Sequence, residues 1–205
     1  MTNLRRVPTQ HRSKAKYQLI LETAKRLIGE LGNDSVSMRE IAKQAELPIS
    51  SIYQYFPDKN TILEAIMQTY FDEIRTGLKH FVDCCQSREE MKQGIIQGID
   101  EFYATFKKEP ALAILWAGLQ ANPQLKELDA KDSQENAELL TEKLCCFSET
   151  ASRDEIYNAV LLLLHTAGMT VRLALDMEEA QAIAFIEEYK ALALSRIDAL
   201  TPQQT

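Results

Sequence analysis

A chain of 205 residues with 45% hydrophobic content is long enough for one sizeable core or for a small domain joined to a larger one. Its formal charge of −7 hides an asymmetry: residues 1–60 carry 10 Lys and Arg against 6 Asp and Glu, a net of +4, leaving 13 against 24, a net of −11, for residues 61–205. No signal-peptide pattern opens the chain and no apolar stretch reaches the roughly 20 residues of a membrane helix, which argues against secretion and membrane insertion and for a cytoplasmic protein.

The basic block is densest at its start, where Arg5, Arg6, Arg12, Lys14 and Lys16 occur with no acid among them. Such a block on an acidic protein suggests a local polyanion site, with the acidic remainder discouraging adhesion elsewhere. Gly and Pro are few, at 7 and 6 residues, and apolar side chains recur at helical spacing almost throughout, so the fold class is all-α with about nine helices. A first helix is expected over about residues 13–31, with Leu19, Ile20, Ala24, Leu27, Ile28 and Leu31 inward and Gly32 as its stop. Ser37 and Glu40 then read as a capping box that starts a short helix at Met38, ending near Ala45 because Pro48 follows. Pro48 suits the first turn of another short helix, residues 49–55, before Pro57 breaks the chain. Two short helices with a tight turn between them have helix-turn-helix geometry.

From Asp58, the expected N-cap, the residues Ile62, Ile66, Tyr70, Ile74 and Leu78 form an i, i+4 stripe suited to a long helix reaching about Val82. Further helices are expected over about residues 88–107, 111–120, 124–147, 153–175 and 178–200. The four cysteines fall as neighbours, Cys84-Cys85 and Cys145-Cys146, where helical geometry points each pair apart; small buried side chains are the simpler reading than a metal or redox centre. His11, His80 and His165 add no metal-ligand spacing, so no metal and no cofactor are expected. Without a glycine-rich phosphate loop or a nucleophile elbow, an enzyme is not expected either.

The string ILETAKRLIGELGNDSVSMREIAKQAELPISSIYQYFPDKNTILEA, with its surroundings from Tyr17 to Tyr70, resembles the DNA-binding domain of the TetR family of bacterial transcriptional regulators. The likeness lies in the glycine turn after the first helix, the capped second helix with its Ile41-Ala42 pair, and the run Ile52-Tyr53-x-Tyr55-Phe56-x-x-Lys59. It implies a DNA-binding domain over residues 1–60 and a helical effector-binding and dimerisation domain over residues 61–205. By that resemblance Arg39, Ile49, Ser50, Ser51 and Gln54 read base edges, while Ser37, Tyr53, Tyr55 and Lys59 hold phosphates. Arg5, Arg6 and Arg12 form an arm for the minor groove or the backbone, and Phe56 is a core residue. The sequence departs from the family at Glu46, where a turn glycine is usual and where a position needing φ > 0 would strain the glutamate, and at Pro48, which replaces a common Ser or Thr cap.

The resemblance also implies a homodimer through the two C-terminal helices, binding a palindromic operator as a repressor and released by a small, largely apolar effector. Candidate pocket residues are Phe102, Tyr103, Phe106, Trp116, Leu119, Gln120, His165, Met169 and Arg172. His165 lies in a segment apolar nearly all round, either as a satisfied core histidine or as a contact for effector or partner. The alternative for the C-terminal half is protein-partner binding, or constitutive DNA binding without a ligand.

Overall fold

The computed structural model describes residues 11–118 and 122–202, with the side chains of His11 and Arg12 left undescribed. Arg5 and Arg6 of the expected arm, and Leu119 and Gln120 of the expected pocket, lie outside the described residues, as does the Arg12 side chain. Among the described residues there are nine α-helices and no strand: α1 His11–Leu31, α2 Met38–Gln44, α3 Ile49–Tyr55, α4 Lys59–Cys84, α5 Arg88–Lys108, α6 Pro110–Ala117, α7 Pro123–Cys145, α8 Arg153–Leu175 and α9 Glu179–Leu200. They divide into two compact units, residues 1–71 with 109–128 and residues 72–108 with 129–205.

Unit 1 is built on the inner face of α1, where Ile20, Leu21, Ala24, Leu27 and Ile28 are buried. Gly32 ends the helix at φ 79, a conformation that an L side chain enters only at a cost, while its N–H bonds Ile28 O at 2.9 Å. Val36, Ile41, Ala42, Ile52 and Phe56 close the core from α2, α3 and their flanks, and Ile62 and Ile66 add the first turns of α4. Burial of a side chain as large as Phe56, fully enclosed, contributes about 1.5–3 kcal/mol. Asp58 caps α4 as expected, its Oδ1 accepting from Thr61 N at 2.8 Å. The chain then returns to this unit as α6, which packs on α1 with Gly29 beside Ala111 and Lys25 paired to Glu109 at 3.0 Å.

Unit 2 gathers the later part of α4 with α5, most of α7, α8 and α9. Met91, Ala137, Leu140, Leu144, Ile156, Val160, Ile197 and Leu200 form its buried cluster. Gly94 is required by packing, because a Cβ there would stand 2.0 Å from the Phe81 ring where α5 crosses α4. Ser152 caps α8 by accepting from Glu155 N at 3.2 Å. Tyr189 of α9 donates to Leu163 O on α8, Arg196 pairs with Glu155 at 3.1 Å, and Arg88 of α5 holds Asp198 and Thr201 at the end of α9. All four cysteines are free thiols; Cys84 and Cys146 are exposed, and Cys85 is buried in the cluster.

One expectation needs correcting. Helix α8 is 23 residues long with an 18-residue window of mean hydropathy 1.4, so by length and composition it could cross a membrane, although only 28% of that window is buried within the protein. The excess apolarity comes from a second, outward stripe: Leu162, Met169 and Leu173 are 64%, 52% and 45% exposed, at a spacing of seven and four residues that keeps them on one helical face. Ile183 and Leu192 of α9 are exposed as well.

Candidate nucleic-acid interface

The seven residues of α3 sort themselves by helical geometry. At about 100° per residue, Ile49, Tyr53, Ser50 and Gln54 share an arc of roughly 140°, and Ile52 points away from it. The structure follows that division: those four side chains are exposed, Ile52 and the following Phe56 are fully buried, and Ser51 and Tyr55 lie between. Phe56 anchors the inner side by stacking on Tyr17 of α1, with ring centroids 4.9 Å apart at 30°. The outer arc carries no formal charge and offers a hydroxyl, an amide and one apolar side chain that can read base edges by hydrogen bonding and by contact with a thymine methyl, beside a phenol that can bond a phosphate.

What holds α3 at its angle is the α2–α3 turn. Ala45 caps α2, Glu46 N–H bonds Lys43 O at 3.2 Å, and Leu47 N–H bonds Ala42 O at 3.0 Å, the two bonds of a Schellman motif. That motif needs a left-handed residue between them, and Glu46 supplies it at φ 53, so the strain expected from glutamate at a glycine position is present. Glu46 is exposed and places a carboxylate beside the start of α3. Pro48 serves as the N-cap residue and not as the first helical residue: at φ −57 and ψ 138 it offers no side-chain acceptor, and its carbonyl takes Ser51 N at 2.8 Å.

The expected phosphate ligands have uneven surroundings. Ser37 caps α2 by accepting from Glu40 N at 3.2 Å, which leaves its hydroxyl hydrogen available, and Arg39 is exposed in the next turn. Among the described residues the second half of the capping box is not formed, and Glu40 Oε1 instead accepts from Gln44 Nε2 at 3.0 Å. Tyr53 is 48% exposed. Tyr55 is turned against α1, its hydroxyl 2.9 Å from Ser13 Oγ and its ring edge-on to Tyr17. Lys59 donates to Asn33 O at 2.8 Å, tying the start of α4 to the turn after α1. Tyr55 and Lys59, for which the sequence points only to an outward role, both also brace the unit from within.

The expected effector residues fall on several helices. Phe106 is buried, with Phe102 at 5.2 Å and Tyr103 half-buried on the same helix, whereas Trp116 is half-buried on α6 in unit 1. His165, Met169 and Arg172 are exposed on α8, with Arg172 Nη2 3.5 Å from Met169 Sδ, so the core reading of His165 falls. What sequence reasoning missed is a polar group inside unit 2. Arg75 of α4 pairs with Asp132 of α7, and Asn136 donates to Asp132 Oδ2 at 2.8 Å. Burial pushes the Asp132 carboxyl above its usual range, and the Arg75 hydrogen bond and charge pull it back. A signal was present: Asp129, Asp132 and Asn136 recur at i, i+3, i+7 on the helical stripe that Leu140 and Leu144 continue.

Residues 20–66 match the family model described as bacterial regulatory proteins, tetR family, and residues 89–200 match the tetracyclin repressor-like C-terminal domain. The chain is 38% identical over 65 residues to the HTH-type transcriptional regulator YuxN of Bacillus subtilis, covering 32% of this chain and 22% of that one. It is 28% identical over 109 residues to the HTH-type transcriptional regulator EthR of Mycolicibacterium smegmatis, covering 53% of this chain and 49% of that one. The chain thus spans half or less of the length of these two relatives. Among solved structures, the fatty acid degradation regulator FadR of Bacillus halodurans superposes with a TM-score of 0.70 at 20% identity, over 87% of this chain and 94% of the other, a likeness of fold. With an N-terminal helix-turn-helix and a C-terminal helical domain both matched, the second over more than half of its length, the chain belongs to the TetR family of bacterial transcriptional regulators.

Proposed function

We propose that the protein is a dimeric repressor that binds a palindromic operator through α3 and is released by a small effector held in the helical domain. The observation that carries the reading is the exposed arc of Ile49, Ser50, Tyr53 and Gln54 on a helix whose opposite side is locked by Ile52 and Phe56. Ser50, Ser51, Gln54, Ile49 and Arg39 read bases, and Ser37, Tyr53, Tyr55 and Lys59 fix register on phosphates. Ser51 and Tyr55 contribute from the edge of the arc, Tyr55 by exchanging its Ser13 partner for a phosphate oxygen. The basic arm of Arg5, Arg6 and Arg12 adds groove or backbone contacts.

Residues 1–60 supply the DNA-binding function and residues 61–205 the sensing and pairing function. The outward stripe of α8, with Leu162, Met169 and Leu173, and the exposed Ile183 and Leu192 of α9 support pairing of two chains through these helices. A two-fold dimer sets its recognition helices about 34–36 Å apart, or a multiple of one DNA turn. Effector binding acts through α4, which runs from unit 1 into unit 2, and it works only to the extent that effector affinity differs between the DNA-bound and released states. The protein acts in the cytoplasm, where operator DNA is accessible.

A mobility shift on the duplex upstream of the protein's own gene tests DNA binding, and sedimentation of Leu162→Glu/Leu192→Glu tests pairing. Retarded duplex with the wild-type dimer, and a folded monomer with lost retardation for the double variant, are expected. A double variant that still sediments as a dimer removes the pairing surface from the proposal.

A further inference from the structure

The exposed arc of α3 is selective in what it lacks. It holds Ile49, Tyr53, Ser50 and Gln54, with no Arg or Lys to take guanine O6 and N7 and no Asp or Glu to accept from the cytosine amine. Those are the side chains that pick out G·C pairs, so α3 discriminates with what remains. Tyr53 goes to phosphate in the reading above, and the Ser50 hydroxyl both donates and accepts, which suits any base edge. Ile49 and Gln54 are left to choose.

Ile49 is 37% exposed and has neither donor nor acceptor in its side chain. The apolar group that a base edge offers in the major groove is the C5 methyl of thymine. Against a polar edge an aliphatic side chain displaces water without replacing its hydrogen bonds, whereas against the methyl both apolar groups are buried together. Gln54 is exposed and carries one amide acceptor beside two amide donors. Adenine presents the matching pair, N6–H as donor and N7 as acceptor, while guanine sets two acceptors against the amide oxygen. Between Ile49 and Gln54 a helix turns by about 140° and rises by about 7.5 Å. The two side chains therefore stand at opposite edges of the arc, separated along a groove by roughly two base-pair steps of about 3.4 Å.

From this arrangement we infer that each operator half-site places two A·T pairs beneath α3, one turning its thymine methyl to Ile49 and the other, roughly two steps away, its adenine N6 and N7 to Gln54. This half-site rests on the DNA-binding reading above and gives the operator a base composition where α3 meets it. Arg39, the cation of the base-reading set, stands on α2, so a guanine that it takes lies outside these two pairs.

Selection from a random duplex pool by the full-length protein, followed by single-group replacements in the selected duplex, tests the assignment. Half-sites with A·T pairs at the two positions are expected. Deoxyuridine in place of thymine removes the C5 methyl alone, and 7-deazaadenine in place of adenine removes the N7 acceptor alone. Wild-type affinity in a mobility shift is expected to fall about fourfold with the first, the worth of one buried methyl group, and about fivefold with the second. Ile49→Ala is expected to lose the response to deoxyuridine and keep that to 7-deazaadenine, and Gln54→Ala to do the reverse. Both side chains are exposed, so the circular dichroism of both variants is expected to match the wild type. Selected half-sites without the two A·T pairs, or a variant that still responds to its own replacement as the wild type does, overturn the inference and leave DNA binding intact. A protein that enriches and retards no duplex removes the DNA-binding reading, and the half-site with it.

Discussion

Replacing Glu46 by glycine relaxes the turn that aims α3. The residue sits at φ 53 between the two hydrogen bonds of the Schellman motif, where an L side chain costs roughly 1–2 kcal/mol. Glycine removes that strain but gives the unfolded chain more freedom, which returns about 0.4–1 kcal/mol, so Glu46→Gly gains a net of about 0.5–1 kcal/mol. Alanine keeps the strain and loses only the carboxylate, so Glu46→Ala stays near wild-type stability and isolates the charge. Urea unfolding at fixed protomer concentration reads the difference as a rise in midpoint of a few tenths molar, for m values of about 1–3 kcal/mol per molar. On DNA the two variants are expected to behave alike, both binding more tightly at low salt, because each removes a negative charge next to the start of α3. A Glu46→Gly protein no more stable than Glu46→Ala would refute the strain argument.

Phe56→Ala empties a fully buried ring site stacked on Tyr17 and is expected to lower stability by about 3–5 kcal/mol, seen as an early thermal transition with loss of DNA retardation. Gln54→Ala and Ser50→Ala should change which duplexes are selected from a random pool, while Tyr53→Phe weakens all duplexes by a similar factor; identical effects from both sets would contradict the division into base and phosphate contacts. Burial holds the Asp129 carboxyl above its usual range, with His165 pulling it down. A raised folded-state value means that its contribution to stability is complete below the unfolded value of about 3.9 and is lost as pH rises through the folded one. Asp129→Asn should therefore raise the urea midpoint near pH 7 and lose that advantage as pH falls toward 4, with Arg75, Asp132 and Glu135 unchanged around it. A constant advantage across that range would show that the gain has another cause.

Local rules carried the reading of the sequence far. Helix boundaries followed from Gly32, Ser37, Pro48, Pro57 and Asp58, since caps and breakers act within one turn, and the inward stripe of α1 was legible for the same reason. Even the strain at Glu46 could be expected, because the family resemblance puts a turn glycine at that position and a glutamate there takes φ > 0 only at a cost. Partners distant in the chain could not be read this way. Lys59 reaching Asn33 spans 26 residues, Tyr55 reaching Ser13 spans 42, and Arg75 reaching Asp132 spans 57. Such pairs depend on where helices dock, which hydrophobic periodicity leaves open because it states which face is buried and not against what. The polar interruption at Asp129, Asp132 and Asn136 was visible as spacing, but only tertiary packing showed that Arg75 of α4 pairs with Asp132 there. The sequence alone therefore determined the helices of the described residues and the exposed arc of α3, whose causes are local, while tertiary packing decided which polar side chains brace one helix against another.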